Sequence, residues 1–210
     1  KILAVVPARG GSKGIINKNL KKINNISLVG HVGLILKKIP YVDYKVVSTD
    51  SSKIQKEALK YDLDAPFTRP KKISGDRIGD IDVLYHALTN SEKFYKKKFD
   101  YIMMLQPTSP VRNYKFIIKM IRKIINKGCN AIWSVSICDL KFHPYKQLII
   151  KNNKLSYYDK KNAKKIIARQ QLTPTFIRNG ICYIYSRNLI KNKKVIDDNS
   201  GFEIVNHEYA

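Results

Sequence analysis

Residues 2–14 read Ile-Leu-Ala-Val-Val-Pro-Ala-Arg-Gly-Gly-Ser-Lys-Gly, so a short apolar run leads directly into a segment rich in glycine and positive charge. An apolar run of this length with β-branched residues predicts a strand that is covered on both faces. Pro7 ends the run because proline lacks the backbone N–H that a central strand must donate. The glycine-rich segment is therefore predicted to be a loop at the carboxyl end of a buried strand.

This loop has the composition of an anion-binding site. Its glycines permit backbone conformations that a Cβ disfavours, so neighbouring N–H groups can converge on one point. These glycines are Gly10, Gly11 and Gly14. Three cations lie in the loop or just after it: Arg9, Lys13 and Lys18. The spacing excludes the dinucleotide fingerprint and the P-loop, so the loop is either another kind of phosphate binder, for instance of a nucleoside triphosphate, or an ordinary turn.

The overall charge is strongly positive, because 40 Lys and Arg stand against 16 Asp and Glu in 210 residues, a formal net charge of +24. Such a balance is typical of proteins that bind nucleic acid, anionic membranes or phosphorylated ligands. The lysines are spread along the whole chain and form no basic helix face, so we predict no nucleic-acid partner.

The cysteines and the hydropathy indicate a cytoplasmic protein without a membrane partner. Cys129, Cys138 and Cys182 are odd in number and lack the paired spacing of a zinc site, which favours a reducing compartment. No apolar stretch approaches about 20 residues, and the first apolar run is too short for a signal peptide.

Strand-like and helix-like patterns alternate along the chain, which predicts a parallel α/β sheet. The predicted strands are Ile2–Val6, Tyr44–Ser48, Tyr101–Leu105 and Ala131–Ser136. The predicted helices are Leu28–Lys38, Ser52–Tyr61, Ile81–Ser91 and Tyr114–Asn126, the last with Ile117, Ile118, Ile121, Ile124 and Ile125 in the core. Ligands of open α/β sheets bind outside the carboxyl ends of strands. The loops after Val6, Val47, Leu105 and Val135 are therefore predicted to line one crevice.

The alternation breaks between residues 138 and 174, where polar and aromatic residues mix irregularly. We interpret this segment as an insertion into an α/β domain formed by residues 1–137 and 175–210. Strand-like alternation returns at Ile177–Tyr185, where Asn179-Gly180 indicates a bulge or tight turn beside the site.

Six motifs in a fixed order give the chain a family resemblance. They are Pro7-Ala-Arg-Gly-Gly-Ser-Lys-Gly14 with Asn17-Lys-Asn-Leu20, Val47-Ser-Thr-Asp50, Thr68-Arg-Pro70, Asp76 ahead of Asp82-Val-Leu-Tyr-His-Ala-Leu88, Leu105-Gln-Pro-Thr-Ser-Pro-Val-Arg112, and Arg169-Gln-Gln-Leu-Thr-Pro-Thr-Phe-Ile-Arg-Asn-Gly180. With them the chain resembles the acylneuraminate cytidylyltransferases over almost its whole length. The resemblance implies a Rossmann-like, three-layer nucleotide-diphospho-sugar transferase fold with a mostly parallel sheet. It also implies that residues 138–174 form a dimerisation element that completes the partner's active site in a homodimer.

The same resemblance implies a reaction in which a nine-carbon sugar acid, namely N-acylneuraminate, legionaminate or pseudaminate, attacks the α-phosphorus of CTP and pyrophosphate leaves. The residues it implies as catalytic are Arg9, Lys13 and Lys18. The implied nucleotide-binding residues are Ala8, Arg9, Gly10, Gly11, Ser12, Lys13, Asn19, Arg69, Asp76 and Asp80. Arg69 is alternatively a surface arginine, and Asp80 stands where relatives often have a small hydroxyl residue.

The implied sugar-binding residues are Gln106, Thr108, Ser109, Arg169, Asn179 and Gly180. A guanidinium is the natural partner of the sugar carboxylate, which makes Arg169 and Arg178 the candidates. The resemblance favours Arg169 acting across a dimer, and Arg178 is alternatively a structural support for the following Asn-Gly pair. Arg112 is expected to pair with an acidic neighbour or to cap its turn.

Mg²⁺ is the expected cofactor, and no metal ligand is assigned within the chain. In the family a pair of aspartates near the carboxyl end holds the metal, and that pair is expected beyond Ala210. Asp197 and Asp198 precede the expected place and do not substitute for it. Three alternative functions stay open: activation of the eight-carbon acid Kdo, nucleotide binding by a truncated inactive relative, and, least favoured, nucleic-acid binding.

Overall fold

The computed structural model describes residues 1–166 and 168–205. The strands are β1 Ile2–Pro7, β2 Lys22–Ile23, β3 Ile26–Ser27, β4 Tyr44–Ser48, β5 Tyr101–Met104, β6 Ala131–Ile137, β7 Leu148–Lys151, β8 Lys154–Tyr157, β9 Phe176–Ser186 and β10 Ser200–Ile204. The helices are α1 Leu28–Leu36, α2 Ser52–Leu59, α3 Asp80–Tyr95, α4 Tyr114–Lys127, α5 Lys160–Ala163 and α6 Arg187–Lys191. All eight predicted elements named in the alternation are present, with ends that shift by up to four residues.

Six strands form the central sheet in the order β10-β6-β9-β5-β1-β4. The β1 strand pairs in parallel with β4 and β5, and β10 pairs in parallel with β6. The long β9 strand is antiparallel to both of its neighbours, β5 and β6. The sheet is thus mostly parallel, as expected, and the amino-terminal half of β9 meets the carboxyl ends of its neighbours at one edge.

Helices cover both faces of the sheet. Successive side chains of β1 point to opposite faces, so this strand contributes to both apolar cores. Ile2, Ala4 and Val6 belong to the apolar core under α1, α2 and α4. Leu3 and Val5 belong to the second core under α3 and α6. This arrangement confirms the three-layer α/β fold predicted from the sequence.

Helix α4 follows its predicted pattern with one correction. The Asn113 side chain accepts a hydrogen bond from the Lys115 N–H at the start, and Gly128 ends the helix in the left-handed conformation. Ile125 is 47% exposed, so the prediction that it lies in the core is wrong. Met120 is fully buried instead, because it lies on the same face of the helix as Ile117 and Ile121. Ile125 lies one residue past that buried face.

Residues 138–174 leave the sheet after β6 and return before β9. They contain the β7–β8 hairpin and the short α5. The Cys138 N–H donates to the Thr175 carbonyl over 2.8 Å, so the two stems of the segment lie side by side. Ile150 and Leu155 on the hairpin are 75% and 68% exposed. The division into a domain and a dimerisation element stays a prediction.

Within the described residues, no helix is both long and apolar enough to cross a membrane.

Candidate active site

The loop after β1 is held at three points. The Ala8 N–H donates to the Ser48 carbonyl over 2.9 Å, which continues the pairing of β1 with β4. The Gly10 N–H donates to Asp50 Oδ1 over 2.8 Å. On the other side, the buried Asn19 amide donates to the Arg9 carbonyl over 3.0 Å. These bonds fix the loop at the carboxyl edge of the sheet before any ligand is present.

The glycines of this loop have ordinary backbone conformations. Gly10, Gly11 and Gly14 all lie outside the left-handed region, and the left-handed residue of this segment is Asn17, at a φ of 53°. A Cβ on Gly10 would lie 2.9 Å from the Ser51 Cβ, so this glycine permits close approach of two loops. Open space surrounds the other two glycines. These glycines therefore form no left-handed turn, and the convergence of their N–H groups on a ligand stays a prediction.

Asp76 joins the two cations of the loop. Its carboxylate lies 2.5 Å from Arg9 Nη1 and 2.7 Å from Lys13 Nζ. The hydrogen bond from Lys13, and then that from Arg9, lowers the pKa of Asp76 below its ordinary value. Both cations are therefore positioned before any anionic ligand binds, and such a ligand would meet a charge cluster already in place.

A cavity of about 260 Å³ opens beside this cluster, and we call it the cationic cavity. Its lining includes seven of the predicted nucleotide-binding or catalytic residues: Arg9, Ser12, Lys18, Asn19, Arg69, Asp76 and Asp80. Four others lie in the same loop without lining the cavity: Ala8, Gly10, Gly11 and Lys13. Ala8 is buried beneath the loop, and Lys13 is joined to the cavity through Asp76.

Arg69 is the most unusual cation of the cationic cavity. The residue is only 4% exposed, which rules out a surface arginine. Its Nε and one Nη atom have no hydrogen-bond partner within the described part of the chain. Burial lowers its pKa, while the charge of Asp50 acts in the opposite direction. Unpaired N–H groups on a buried guanidinium are costly, so their presence in a cavity wall points to an anionic ligand.

A second cavity, of about 310 Å³, adjoins the first, and we call it the amide cavity. It contains five of the predicted sugar-binding residues, Gln106, Thr108, Ser109, Asn179 and Gly180, together with Arg178 and Tyr183. Gln106 and Thr108 line both cavities. A group bound in one cavity therefore lies next to a group bound in the other.

Asn179 is fixed at the predicted β-bulge. The pairing of β6 with β9 shifts register between Trp133 and Val135, which confirms the irregularity expected at this position. The Asn179 Oδ1 accepts from Ser134 Oγ over 2.6 Å, and its Nδ2 donates to Ser136 Oγ over 3.1 Å. The amide therefore has a single orientation, set by two serines that the sequence analysis did not single out. Their signal was two small polar residues in an otherwise apolar strand.

Arg112 joins the loop after β5 to the bulge of β9. It is buried at 8% exposure and pairs with no carboxylate among the described residues, so the expectation of an acidic partner is wrong. Its Nε donates to the Ile181 carbonyl over 2.9 Å, and its Nη2 donates to the carbonyls of Gly180 and Gln106. The expected capping of the turn is confirmed. Burial lowers the pKa of the guanidinium to about 10.

Replacing Arg112 with methionine is expected to lower the free energy of unfolding by about 3 kcal/mol, because the buried carbonyls of Gly180 and Ile181 lose a charged donor. Urea titration followed by circular dichroism measures this change. Arg122→Met is the control, since Arg122 is an exposed cation of α4 bonded to the Tyr41 hydroxyl. An equal loss in both variants would contradict the role given to Arg112.

The two arginine candidates for a carboxylate lie in different places. Arg169 lines a separate cavity of about 480 Å³ within residues 138–174, beside Tyr145 and Tyr157. Within this chain it is not brought to Gln106. Arg178 lines the amide cavity, and its Nη1 lies 3.8 Å from Asp80.

The predicted common crevice is only partly correct. The loops after β1 and β5 line the cationic cavity, and the loop after β4 supports it through Asp50. The segment after β6 lines neither cavity, because β6 continues through Ile137 into residues 138–174.

Within the described residues, no group of three or more His, Cys, Asp or Glu is placed to hold a metal ion. Asp50 and Asp76 are each engaged by the loop donors described above. Asp197 accepts from the Asn130 amide over 2.7 Å and from Ser200, in a turn before β10. These carboxylates do not fit a protein-built metal site. Residues 206–210, where the expected metal segment begins, lie outside the described part of the chain.

Sequence comparisons show to which proteins this chain is related. A family profile described as cytidylyltransferase matches residues 3–200. The chain is 32% identical to post-translational flagellin modification protein B of Campylobacter coli, covering 100% of this chain and 88% of that protein. It is 30% identical to CMP-N,N'-diacetyllegionaminic acid synthase of Campylobacter jejuni, again covering 100% and 88%.

Solved structures share the fold at low identity. The structure of CMP:2-keto-3-deoxy-manno-octonic acid synthetase complexed with CTP matches with a TM-score of 0.68 at 16% identity, covering 98% of this chain and 90% of that one. A 4-diphosphocytidyl-2C-methyl-D-erythritol synthase matches with a TM-score of 0.66 at 10% identity. The profile spans nearly the whole chain, and a relative above 30% identity covers all of it: the chain belongs to the cytidylyltransferase family.

Proposed function

We propose that this chain transfers the cytidylyl group of CTP to a nonulosonic acid, giving the CMP-sugar and pyrophosphate. The observation that supports this most directly is the contact of two cavities through Gln106 and Thr108, one cationic and one rich in amides and hydroxyls. A relative that matches the whole of this chain is named for CMP-N,N'-diacetyllegionaminic acid, which makes that sugar acid the first to test.

The cationic cavity suits the triphosphate. Arg9 and Lys13, already positioned by Asp76, would hold the phosphates together with Ser12 and Lys18, and Arg69 would gain the acceptors it lacks. Positive charge at this position stabilises the negative charge that develops on the leaving pyrophosphate.

The amide cavity suits the sugar acid. Gln106, Thr108 and Ser109 offer donors and acceptors for hydroxyl and acetamido groups, and Asn179 is held in one orientation by Ser134 and Ser136. A sugar in this cavity would present its anomeric hydroxyl to an α-phosphorus in the neighbouring cavity. The hydroxyl loses its proton as its oxygen bonds to phosphorus, and the bond to pyrophosphate breaks on the opposite side.

We also propose that the reaction uses Mg²⁺ and that the protein is a homodimer. Mg²⁺ would supply further charge neutralisation on the phosphates. Because the described carboxylates form no site for it, no step is assigned to the metal here. A homodimer would bring Arg169 of one copy toward the amide cavity of the other, which fits its position in residues 138–174, away from the site of its own chain.

Pyrophosphate release tests the proposal. The full-length natural protein is incubated with CTP and Mg²⁺ and, in parallel, with N-acetylneuraminate, N,N'-diacetyllegionaminate, pseudaminate or Kdo. We expect release with a nine-carbon acid, none with ATP, and loss of activity on adding EDTA. Release with Kdo alone would change the proposed substrate from a nine-carbon acid to the eight-carbon acid. CTP binding without turnover would favour an inactive nucleotide-binding relative.

The nucleic-acid alternative has a separate test. A basic nucleic-acid-binding protein would bind DNA of any sequence, with a log affinity that falls linearly with log salt. We expect negligible binding to a labelled duplex at physiological salt. Tight, salt-sensitive binding together with no pyrophosphate release would favour that alternative.

A further inference from the structure

Arg178 and Asp80 connect the two cavities. Arg178 is the one cation among the residues that line the amide cavity. Asp80 lines the cationic cavity as the first residue of α3. The two side chains approach to 3.8 Å, with Arg178 59% and Asp80 33% exposed.

The guanidinium of Arg178 is poorly engaged by its own chain. At 3.8 Å the contact with Asp80 is an ion pair without a hydrogen bond. The guanidinium carbon lies 5.4 Å from the centre of the Trp133 ring, a cation–π contact that uses none of its N–H groups as hydrogen-bond donors. Within the described part of the chain, the side chain donates no hydrogen bond. It therefore does not support Asn179 and Gly180, contrary to one of the two roles considered for it.

We propose that Arg178 binds the carboxylate of the sugar acid, and that Asp80 competes with that carboxylate for the guanidinium. The proposal rests on the proposed function. A guanidinium with free N–H groups beside the amide and hydroxyl groups of Gln106 and Ser109 is suited to bidentate recognition of a carboxylate. Asp80 offers the same chemical group from the lining of the cationic cavity, so its negative charge opposes the incoming acid.

The proposal predicts that removing each partner of this ion pair changes the KM for the sugar acid in the opposite direction. At saturating CTP, Arg178→Ala is expected to raise the KM for the sugar acid roughly 20-fold, because a charge-assisted bidentate contact is lost. Arg178→Lys should recover only part of this loss. Asp80→Asn is expected to lower the KM for the sugar acid about threefold, the scale of a partly exposed ion pair. In the Arg178→Ala background, Asp80→Asn should no longer change that KM.

The matched control is Asp82→Asn. Asp82 lies in the same first turn of α3 and pairs with Lys193 over 3.0 Å, and it lines neither cavity. The substitution removes one negative charge from the same helix end and leaves the lining of both cavities unchanged. We therefore expect no change in the KM for the sugar acid.

Three results would overturn the inference. They are an unchanged KM in Arg178→Ala, a KM that rises in both Asp80→Asn and Arg178→Ala, as for a purely structural pair, and an Asp80→Asn effect that persists without Arg178. Wild-type turnover is measured first. If no sugar acid supports pyrophosphate release, both the proposed function and this inference are wrong. If wild type turns over and the variants give one of the three results, only the inference fails.

Discussion

Arg69→Met is expected to weaken CTP binding by about 100- to 1,000-fold while leaving the ligand-free protein as stable as wild type or about 1 kcal/mol more stable. The two effects have one cause. Two nitrogens of the buried guanidinium lack partners in the ligand-free chain, so removing them costs the fold little. The phosphates would lose a buried, charged donor that nothing else replaces.

Two measurements separate these effects. Urea titration without nucleotide gives the free energy of unfolding, and calorimetric titration with CTP gives the affinity. Arg77→Met is the matched control, because Arg77 is exposed in the same connecting segment and does not line the cationic cavity. A variant that loses stability but keeps its CTP affinity would make Arg69 a structural arginine, and an equal loss of affinity in Arg77→Met would reduce the effect to net charge.

The elements of this fold with a strong local signal were predictable. The strand Ile2–Val6 reads directly as a buried strand, and helix α4 has both its Asn113 cap and its Gly128 stop in the sequence. The direction of β9 was not predictable in this way. Its alternation is the same for a parallel or antiparallel strand, and only the pairing with β5 and β6 decides. The β10 strand was missed because Ser200-Gly201 begins it with weak strand formers.

The residues of the candidate site were predictable, but the contacts between them were less so. The loop cations were identified, but their organisation depends on Asp76, which lies more than 60 positions after Lys13 in the chain and meets it only through the fold. Likewise, the burial of Arg69 follows from its backbone N–H donating to the Thr49 carbonyl over 2.8 Å, a contact between distant loops. The carboxylate candidates were ranked by resemblance, and the structure shows that Arg178 belongs to the amide cavity. Sequence spacing carries no information about such contacts.

Gly180→Ala is expected to lower kcat/KM for the sugar acid about 100-fold, the scale of a 1 Å misplacement of substrate-positioning groups. Gly180 has a φ of +75°, and a Cβ there would lie 2.8 Å from Gln106 Oε1 and 3.0 Å from Ser109 Oγ. Both side chains would have to move, and both line the amide cavity. The left-handed backbone adds a cost of about 1–2 kcal/mol in the free energy of unfolding.

Gly128→Ala separates the backbone cost from the displacement of the site. Gly128 has a φ of +62° at the end of α4, and a Cβ there would meet nothing within 4 Å. Both alanine variants should therefore show the left-handed backbone cost in urea titration, and any further loss of stability in Gly180→Ala reports the displacement of Gln106 and Ser109. Only Gly180→Ala should lose turnover, measured by pyrophosphate release at saturating CTP. If Gly128→Ala loses turnover to the same extent, reduced stability explains the effect; if neither variant does, Gln106 and Ser109 do not position the sugar acid, and the amide cavity has no part in the reaction.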